Sequence, residues 1–257
     1  MISMNEKDTT YSSIWLFRKK GKEWKGTKDP IANMKNFRQV RGDYFSEFNP
    51  MIAENIINFW SKEGDLILDP FAGRTRGIIS ALKLRKYIGF EISEEVYNKT
   101  SKEIETWELE EFFKPEIYNT DSINIDLFGL PKVDLIFSCP PYWNIEKYES
   151  CEGQLSDIRD YHQFLDKYKQ IMEKSVSYLK KEGYLALVVG DFRIKKKYYP
   201  FHCDNIKIMQ ELGLKLHDII ILQSVTFDIA NRRFGSHKKY KFTSKIHEYL
   251  LIFKNEG

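Results

Sequence analysis

The chain has 257 residues, a formal net charge of +3 and 42% hydrophobic residues, which is typical of one large α/β domain with its own core. No apolar run approaches the roughly 18 residues of a membrane span, and the N-terminus lacks the apolar core of a secretory signal. The cysteines, Cys139, Cys151 and Cys203, are odd in number and scattered, so we expect a reduced, cytoplasmic protein without disulfides or a bound metal.

The first part of the chain is polar and irregular. Residues 1–42 are predicted to form an N-terminal extension with one short strand at 13–17 and a basic segment at 18–28, which makes DNA contact a hypothesis for this region. The main domain is predicted to span 43–257. It opens with a helix that Asn49 caps and Pro50 begins.

Short apolar runs then alternate with helical patterns. This alternation predicts a mostly parallel, doubly wound sheet. The last two strands have no helix between them, so we expect them to be antiparallel neighbours joined by a basic loop at 224–245. The predicted strands lie at 65–69, 86–92, 117–122, 135–137, 184–191, 216–223 and 246–254. The predicted helices lie at 50–60, 78–84, 96–111, 161–179 and 201–212.

Basic residues interleaved with aromatic residues form three clusters, at 18–28, 193–199 and 232–245. A single charge run is usually a solvated face, but three such clusters in predicted loops favour nucleic-acid binding. The candidate contacts are Lys195, Lys196, Arg232, Arg233, Lys238 and Lys239.

A rigid turn follows the fourth strand, with the sequence Ser138-Cys139-Pro140-Pro141-Tyr142-Trp143. The two prolines end the strand and fix their own φ angles. They therefore hold flat rings just past the strand's carboxyl end, which is where open α/β sheets bind ligands. Such a turn suits the clamping of a nucleobase. An ordinary aromatic-rich loop is the alternative.

Three other strand ends carry acids. Asp69 opens the loop 69–77, Glu91 ends the next strand, and Asp121 ends the third strand. The spacing of Glu91 favours a ribose diol, and Asp121 could accept a hydrogen bond from an adenine amino group. Because Asp69 would repel phosphates, the pocket suits a nucleoside with a cationic group such as a sulfonium.

Two of these motifs, Asp69-Pro70-Phe71-Ala72-Gly73 and Ser138-Cys139-Pro140-Pro141-Tyr142, resemble the signatures of the amino-methylating DNA methyltransferases. The resemblance extends from about Phe45 to residue 254 and is closest to compact phage- and plasmid-type enzymes with a Cys-Pro-Pro-Tyr motif. It implies an α/β, Rossmann-like class I methyltransferase fold, a seven-stranded mostly parallel sheet with an antiparallel terminal strand.

The resemblance also implies an activity. Such enzymes transfer a methyl group from S-adenosylmethionine to adenine N6 or cytosine N4 of a base flipped out of DNA, without a metal. A role in modification and protection against restriction follows, with DNA and a cognate restriction endonuclease as partners, no membrane partner, and a monomeric or dimeric state.

Site residues follow position by position from the resemblance. The implied cofactor-binding residues are Phe45, Asp69, Phe71, Ala72, Gly73, Glu91, Ile92, Asp121 and Ser122. The implied catalytic residues are Ser138, Cys139, Pro140, Pro141 and Tyr142, with Trp143 extending the stacking platform for nucleic acid.

Two departures from the family pattern leave alternatives open. Thr75 replaces a usual glycine of the cofactor loop, and Cys139 stands where Asp, Asn or Ser normally accepts a hydrogen bond from the target amino group. A sulfur is a weak acceptor, so Ser138 or a water would assist, and adenine versus cytosine is undecided. An RNA methyltransferase of the same fold, or a protein methyltransferase, is one alternative. A catalytically weakened DNA-binding homologue is the other.

Overall fold

The computed structural model describes residues 12–17, 48–107, 109–145, 150–224, 241–243 and 245–257. Within these residues the main sheet has eight strands, in the order β1-β9-β10-β6-β5-β2-β3-β4, and a separate hairpin pairs β7 with β8. The strands are β1 (Ile14–Phe17), β2 (Leu66–Asp69), β3 (Lys86–Glu91), β4 (Glu116–Asn119), β5 (Val133–Ser138), β6 (Leu179–Val189), β7 (Phe192–Ile194), β8 (Lys197–Tyr199), β9 (Lys215–Ser224) and β10 (His247–Lys254).

The predicted topology is confirmed. Strands β9, β10, β6, β5, β2, β3 and β4 form the expected seven-stranded sheet. Strand β10 runs antiparallel to both of its neighbours, while the other described pairings within the main sheet are parallel. The difference is an eighth strand, since β1 pairs in parallel with β9 at the edge. This pairing covers an otherwise open edge, and Trp15 of β1 lies 6.0 Å from Trp60, centroid to centroid.

Helices α1 (Pro50–Trp60), α2 (Arg76–Leu82), α3 (Glu94–Glu105), α4 (Tyr161–Ser177) and α5 (Phe201–Glu211) pack around the sheet. The start of α1 is confirmed, because the Asn49 side chain accepts a hydrogen bond from the Met51 amide at 3.0 Å. Helix α3 ends six residues before the predicted position 111.

Two apolar cores cover the two faces of the sheet. Alternate residues of the central strands point to opposite faces, so Ile67 and Leu135 join one core whereas Leu68 and Ile136 join the other. The second core contains the large aromatic rings of α4 and α5, among them Tyr168 and Phe201. No helix within the described residues is long and apolar enough to span a bilayer.

The second basic cluster is not a loop, as the sequence predicted, but the hairpin β7–β8. Lys195 and Lys196 connect its strands, and their φ angles are +47° and +74°. Two successive residues with positive φ form the tight connection that matches the twist of paired strands.

Candidate active site

Asp69 lies at the carboxyl end of β2, between β3 and β5, and it is fully buried. Its Oδ1 accepts hydrogen bonds from the Phe71 amide at 3.0 Å and from the Ser138 hydroxyl at 2.5 Å. Its Oδ2 accepts from Tyr87 Oη at 2.9 Å and from Arg76 Nε at 2.5 Å. The Asp69 carboxylate therefore accepts hydrogen bonds from four groups, two of which, the Phe71 amide and the Arg76 guanidinium, belong to the loop 69–77.

Arg76 supplies the counter-charge for Asp69. Its guanidinium also donates to the Phe71 carbonyl and lies 5.1 Å from the Phe48 ring centroid and 5.8 Å from that of Phe137. Burial alone would lower the pKa of Arg76, but Asp69 outweighs burial and raises the pKa above its ordinary value. The cation that the sequence argument assigned to a ligand at Asp69 is thus a side chain of the chain itself.

Glu91, at the end of β3, holds the other side of the loop. Its carboxylate accepts from the Gly73 amide at 3.0 Å and the Ser93 amide at 2.9 Å. Burial raises the pKa of Glu91 above its ordinary value, although both amides oppose that shift. Gly73 has a φ of +55°, and the Ala72 amide donates to the Phe90 carbonyl at 2.9 Å. The loop 71–73 is thereby fixed over the end of β3.

Asp121 follows β4 and caps a short 3₁₀ helix, Ser122–Phe128, by accepting from the Ile123 amide at 3.1 Å. Its other oxygen accepts from Lys167 Nζ of α4 at 2.9 Å, and the same ammonium donates to the Gly153 carbonyl at 2.6 Å.

Gly153 covers the predicted adenine end of the pocket. A Cβ at this glycine would lie 2.3 Å from Asp121 Oδ2 and 3.1 Å from Ile92 Cδ1. Neither Gly153 nor Lys167 is predicted from the sequence, because neither belongs to a recognisable motif and both approach Asp121 only through the fold.

The Ser138–Tyr142 turn lies at the end of β5, next to the loop 69–77. Ser138 is fully buried and donates to Asp69, so its hydroxyl is directed toward the loop 69–77. The Tyr142 hydroxyl donates to Glu248 Oε1 at 2.6 Å and lies 3.9 Å from Cys139 Sγ. Burial raises the pKa of Tyr142 well above its ordinary value, and Cys139 and Glu248 raise it further.

The structure therefore brings together Asp69, Phe71, Ala72, Gly73 and Glu91 with the Ser138–Tyr142 turn at one edge of the sheet. Ile92, Asp121 and Ser122 lie beside them, since the Ser122 hydroxyl donates to the Pro70 carbonyl of the loop. Phe45 lies outside the described residues. Among the described residues, no group of three or more His, Cys, Asp or Glu side chains could hold a metal ion.

Comparison with known proteins places this arrangement in a family. The profile of the N6_N4_Mtase family, described as DNA methylase, matches residues 2–103 and 133–257. The chain belongs to this DNA methylase family.

Two curated methyltransferases are similar over shorter stretches. The type II methyltransferase M.MjaVI of Methanocaldococcus jannaschii is 33% identical over 105 residues, which cover 41% of this chain and 52% of the relative. The orphan methyltransferase M.BamHII of Bacillus amyloliquefaciens is 51% identical over 49 residues, which cover 19% of this chain and 18% of the relative. The chain thus spans about half the length, or less, of the curated relatives that it matches.

Solved structures share the fold. TrmN from Thermus thermophilus superposes with a TM-score of 0.54 at 12% identity, over 84% of this chain and 51% of that chain. A putative rRNA methylase from Clostridium thermocellum superposes with a TM-score of 0.51 at 12% identity, over 83% of this chain and 99% of that chain. At these identities the likeness shows the fold alone, and it confirms the class I methyltransferase architecture.

The residue that follows the Ser138–Tyr142 turn does not have the position that its predicted role requires. Trp143 is only 6% exposed, and its indole donates to the Ile158 carbonyl at 2.7 Å. Its ring packs 5.2 Å from the rings of both Tyr161 and Tyr199. The prediction that Trp143 extends a base-stacking platform is therefore corrected, because the ring is a buried packing element.

The nucleic-acid contacts predicted from the sequence lie only partly within the described residues. Lys195 and Lys196 are exposed at the tip of the hairpin. Arg193 of the same hairpin lies 5.2 Å from the Tyr198 ring and 5.1 Å from that of Phe242, near the end of the basic segment 224–245. The remaining candidates, Arg232, Arg233, Lys238 and Lys239, lie outside the described residues.

Asp191, which follows β6, joins this surface to the sheet. Its Oδ1 accepts from His202 Nδ1 at 2.6 Å, its Oδ2 accepts from the Tyr198 hydroxyl, and Lys245 Nζ lies 3.6 Å away. Burial alone would raise the pKa of Asp191, but the hydrogen bonds from Tyr198 and His202 outweigh burial and lower it. Burial and Asp191 together raise the pKa of Tyr198 to about 12.

Proposed function

We propose that this chain is an S-adenosylmethionine-dependent DNA methyltransferase that methylates the exocyclic amino group of a flipped base, adenine N6 or cytosine N4. The observation that carries the proposal is the 2.5 Å hydrogen bond between Ser138 and Asp69, which joins the Pro-Pro-Tyr turn directly to the glycine loop. A base clamp and a nucleoside pocket on adjacent strands are what direct methyl transfer requires.

The residues around the loop fit S-adenosylmethionine in their chemistry. Glu91 and Asp121 offer carboxylate oxygens at successive strand ends, and each oxygen has two lone pairs for hydroxyl and amino donors. Glu91, whose carboxylate accepts from the Gly73 and Ser93 amides, disfavours a phosphate group at its position. We assign the methionine part to the Phe71, Ala72 and Gly73 loop, the ribose to Glu91, and the adenine to Asp121 with Ile92 and Ser122. When bound, S-adenosylmethionine supplies an electrophilic methyl group.

The turn would activate the target amino group. Its nitrogen is a poor nucleophile because the lone pair is delocalised into the ring, and accepting its N–H hydrogen bonds localises that pair. The Pro140 carbonyl is one acceptor in this proposal, and Cys139 Sγ is a second, weaker one. Tyr142 stacks on the flipped base, which contributes about 1–3 kcal/mol.

The basic surface would hold the DNA backbone. We assign this role to Lys195 and Lys196 of the hairpin, together with Arg232, Arg233, Lys238 and Lys239 of the 224–245 loop and the N-terminal extension 1–42. We further propose that methylation protects DNA from a cognate restriction endonuclease.

The test is incubation of the purified chain with labelled S-adenosylmethionine and mixed-sequence DNA, or with RNA, followed by digestion to nucleosides and mass spectrometry. N6-methyladenine or N4-methylcytosine in the DNA arm supports the proposal and names the base. Methylated nucleosides only in the RNA arm, or tight cofactor binding without transfer to DNA, would overturn it.

A further inference from the structure

We propose that Glu248 is a positioning residue for methyl transfer, because it holds the Tyr142 ring of the base clamp in place. The inference rests on the proposed function and adds a residue from a distant strand to the Pro-Pro-Tyr turn. From sequence alone, Glu248 is an ordinary residue at the head of the last strand.

Topology explains how Glu248 reaches the site. Parallel strands β5 and β6 have their carboxyl ends on the side of the sheet that carries the Pro-Pro-Tyr turn. Strand β10 lies antiparallel to β6 and therefore begins on that side. Tyr249 pairs with Val189, the last residue of β6. Glu248, one residue earlier, thus lies beside Gly190 and next to the Tyr142 hydroxyl.

Several contacts restrain the Tyr142 ring. Its hydroxyl donates to Glu248 Oε1 at 2.6 Å. A Cβ at Gly190 would lie 3.4 Å from Tyr142 Cε2 and 3.7 Å from Glu248 Cγ, so the Gly190 backbone is close to both side chains. The Phe201 ring meets the Tyr142 ring edge-on, with centroids 6.3 Å apart.

Of the polar groups at the Tyr142 hydroxyl, Glu248 is the stronger acceptor. Cys139 Sγ lies 3.9 Å away and is a weak acceptor, whereas a carboxylate forms a shorter, charge-assisted hydrogen bond. The raised pKa of Tyr142 keeps its hydroxyl protonated and able to donate. Glu248 therefore fixes the hydroxyl end of the Tyr142 ring, while the two prolines before Tyr142 restrict the backbone that leads to it.

A fixed ring matters because transfer depends on the placement of the target amino group. A misplacement of about 1 Å can reduce the rate of an enzymatic step by about 100-fold. Losing the Glu248 hydrogen bond should therefore reduce kcat. The affinity for S-adenosylmethionine should not change, since the described contacts of Glu248 lie at the base clamp rather than in the loop 71–73.

The experiment compares E248A, E248Q, Y142F and the double variant E248A/Y142F in steady-state methylation of DNA. We expect E248A to lower kcat by about 10- to 100-fold with an unchanged KM for S-adenosylmethionine. E248Q should recover most of the rate, because its amide oxygen can still accept the tyrosine hydrogen bond. Adding E248A to Y142F should change kcat by less than about twofold, since both changes remove the same interaction.

A matched control exists at the far edge of the sheet, where the Tyr118 hydroxyl donates to Glu116 at 3.0 Å. E116A removes the same kind of pair and should leave kcat unchanged. The inference is overturned if E248A has wild-type kcat, if E248Q is as slow as E248A, or if the E248A and Y142F effects multiply. If the wild-type chain transfers no methyl group to DNA, the proposed function itself fails, and the inference fails with it.

Discussion

The Ser138 hydroxyl donates a hydrogen bond to Asp69 Oδ1 at 2.5 Å, across 69 positions of sequence. This bond joins the end of β5, which carries the Pro-Pro-Tyr turn, to the end of β2, which carries the glycine loop. Strands β2 and β5 are neighbours in the sheet, with Leu68 opposite Ile136. The two signature motifs are therefore parts of one hydrogen-bonded unit.

S138A should weaken this unit. Losing a buried hydrogen bond to a charged group costs about 1.5–3 kcal/mol of unfolding free energy, and the loop should lose affinity for S-adenosylmethionine. Urea unfolding and cofactor titration measure both effects. S175A is the matched control, because Ser175 is equally buried but its hydroxyl donates to the Ile171 carbonyl within α4. If S138A lowers kcat without changing stability or cofactor affinity, the hydroxyl instead acts on the target base.

G153A should disturb the proposed adenine end of the pocket. Its Cβ would lie 2.3 Å from Asp121 Oδ2, and φ at Gly153 is +92°. G213A is the matched control, since φ there is +85° with no atom within 4 Å of a Cβ. We expect G213A to lower the free energy of unfolding by about 1 kcal/mol through backbone strain alone. G153A should lower it further and should also reduce the affinity for S-adenosylmethionine. Thermal unfolding with and without S-adenosylmethionine measures this, and equal behaviour of the two variants would contradict the assigned contact.

W143A should destabilise the fold without altering the electrostatics of DNA binding. Removing a buried tryptophan costs about 3–5 kcal/mol, whereas W143F retains a ring and should cost less. L127A is the surface control, because Leu127 is 82% exposed, and it should change stability by less than about 0.5 kcal/mol. Urea unfolding gives the stabilities, and the dependence of DNA affinity on salt should be the same in W143F as in wild type. A W143F variant of full stability with lost DNA affinity would restore the stacking role.

D191N should reduce stability in a pH-dependent way. The folded-state pKa of Asp191 lies below its ordinary value of 3.8, so its stabilising effect is complete above that pH and is lost as the pH falls through the folded-state pKa. At pH 7 we expect D191N to lower the free energy of unfolding by about 2 kcal/mol. The difference from wild type, measured by urea unfolding, should narrow below pH 3.8. The surface control is D126N, which removes an exposed pair with Lys174 and should cost less than about 1 kcal/mol at pH 7. A D191N difference that stays constant down to pH 3 would contradict the prediction.

The sequence by itself determined that the sheet is mostly parallel and that its last two strands are antiparallel neighbours, because strand and helix patterns alternate and the last two strands have no helix between them. It also determined that acids lie at the ends of β2 and β3 and just after β4, since the boundaries of the strands are set by local residue patterns. The direction of β10 followed from the same reasoning and is confirmed.

Only the tertiary structure decided which partners those residues have. Arg76 neutralises Asp69, Gly153 packs on Asp121, and Glu248 binds Tyr142 across 106 positions of sequence. Such pairs depend on which elements become neighbours in space, and no local pattern in one sequence records that. The burial of Trp143 has the same origin, because an aromatic side chain after a turn suits a ligand site and a core equally, and its exposure depends on the residues that pack over it.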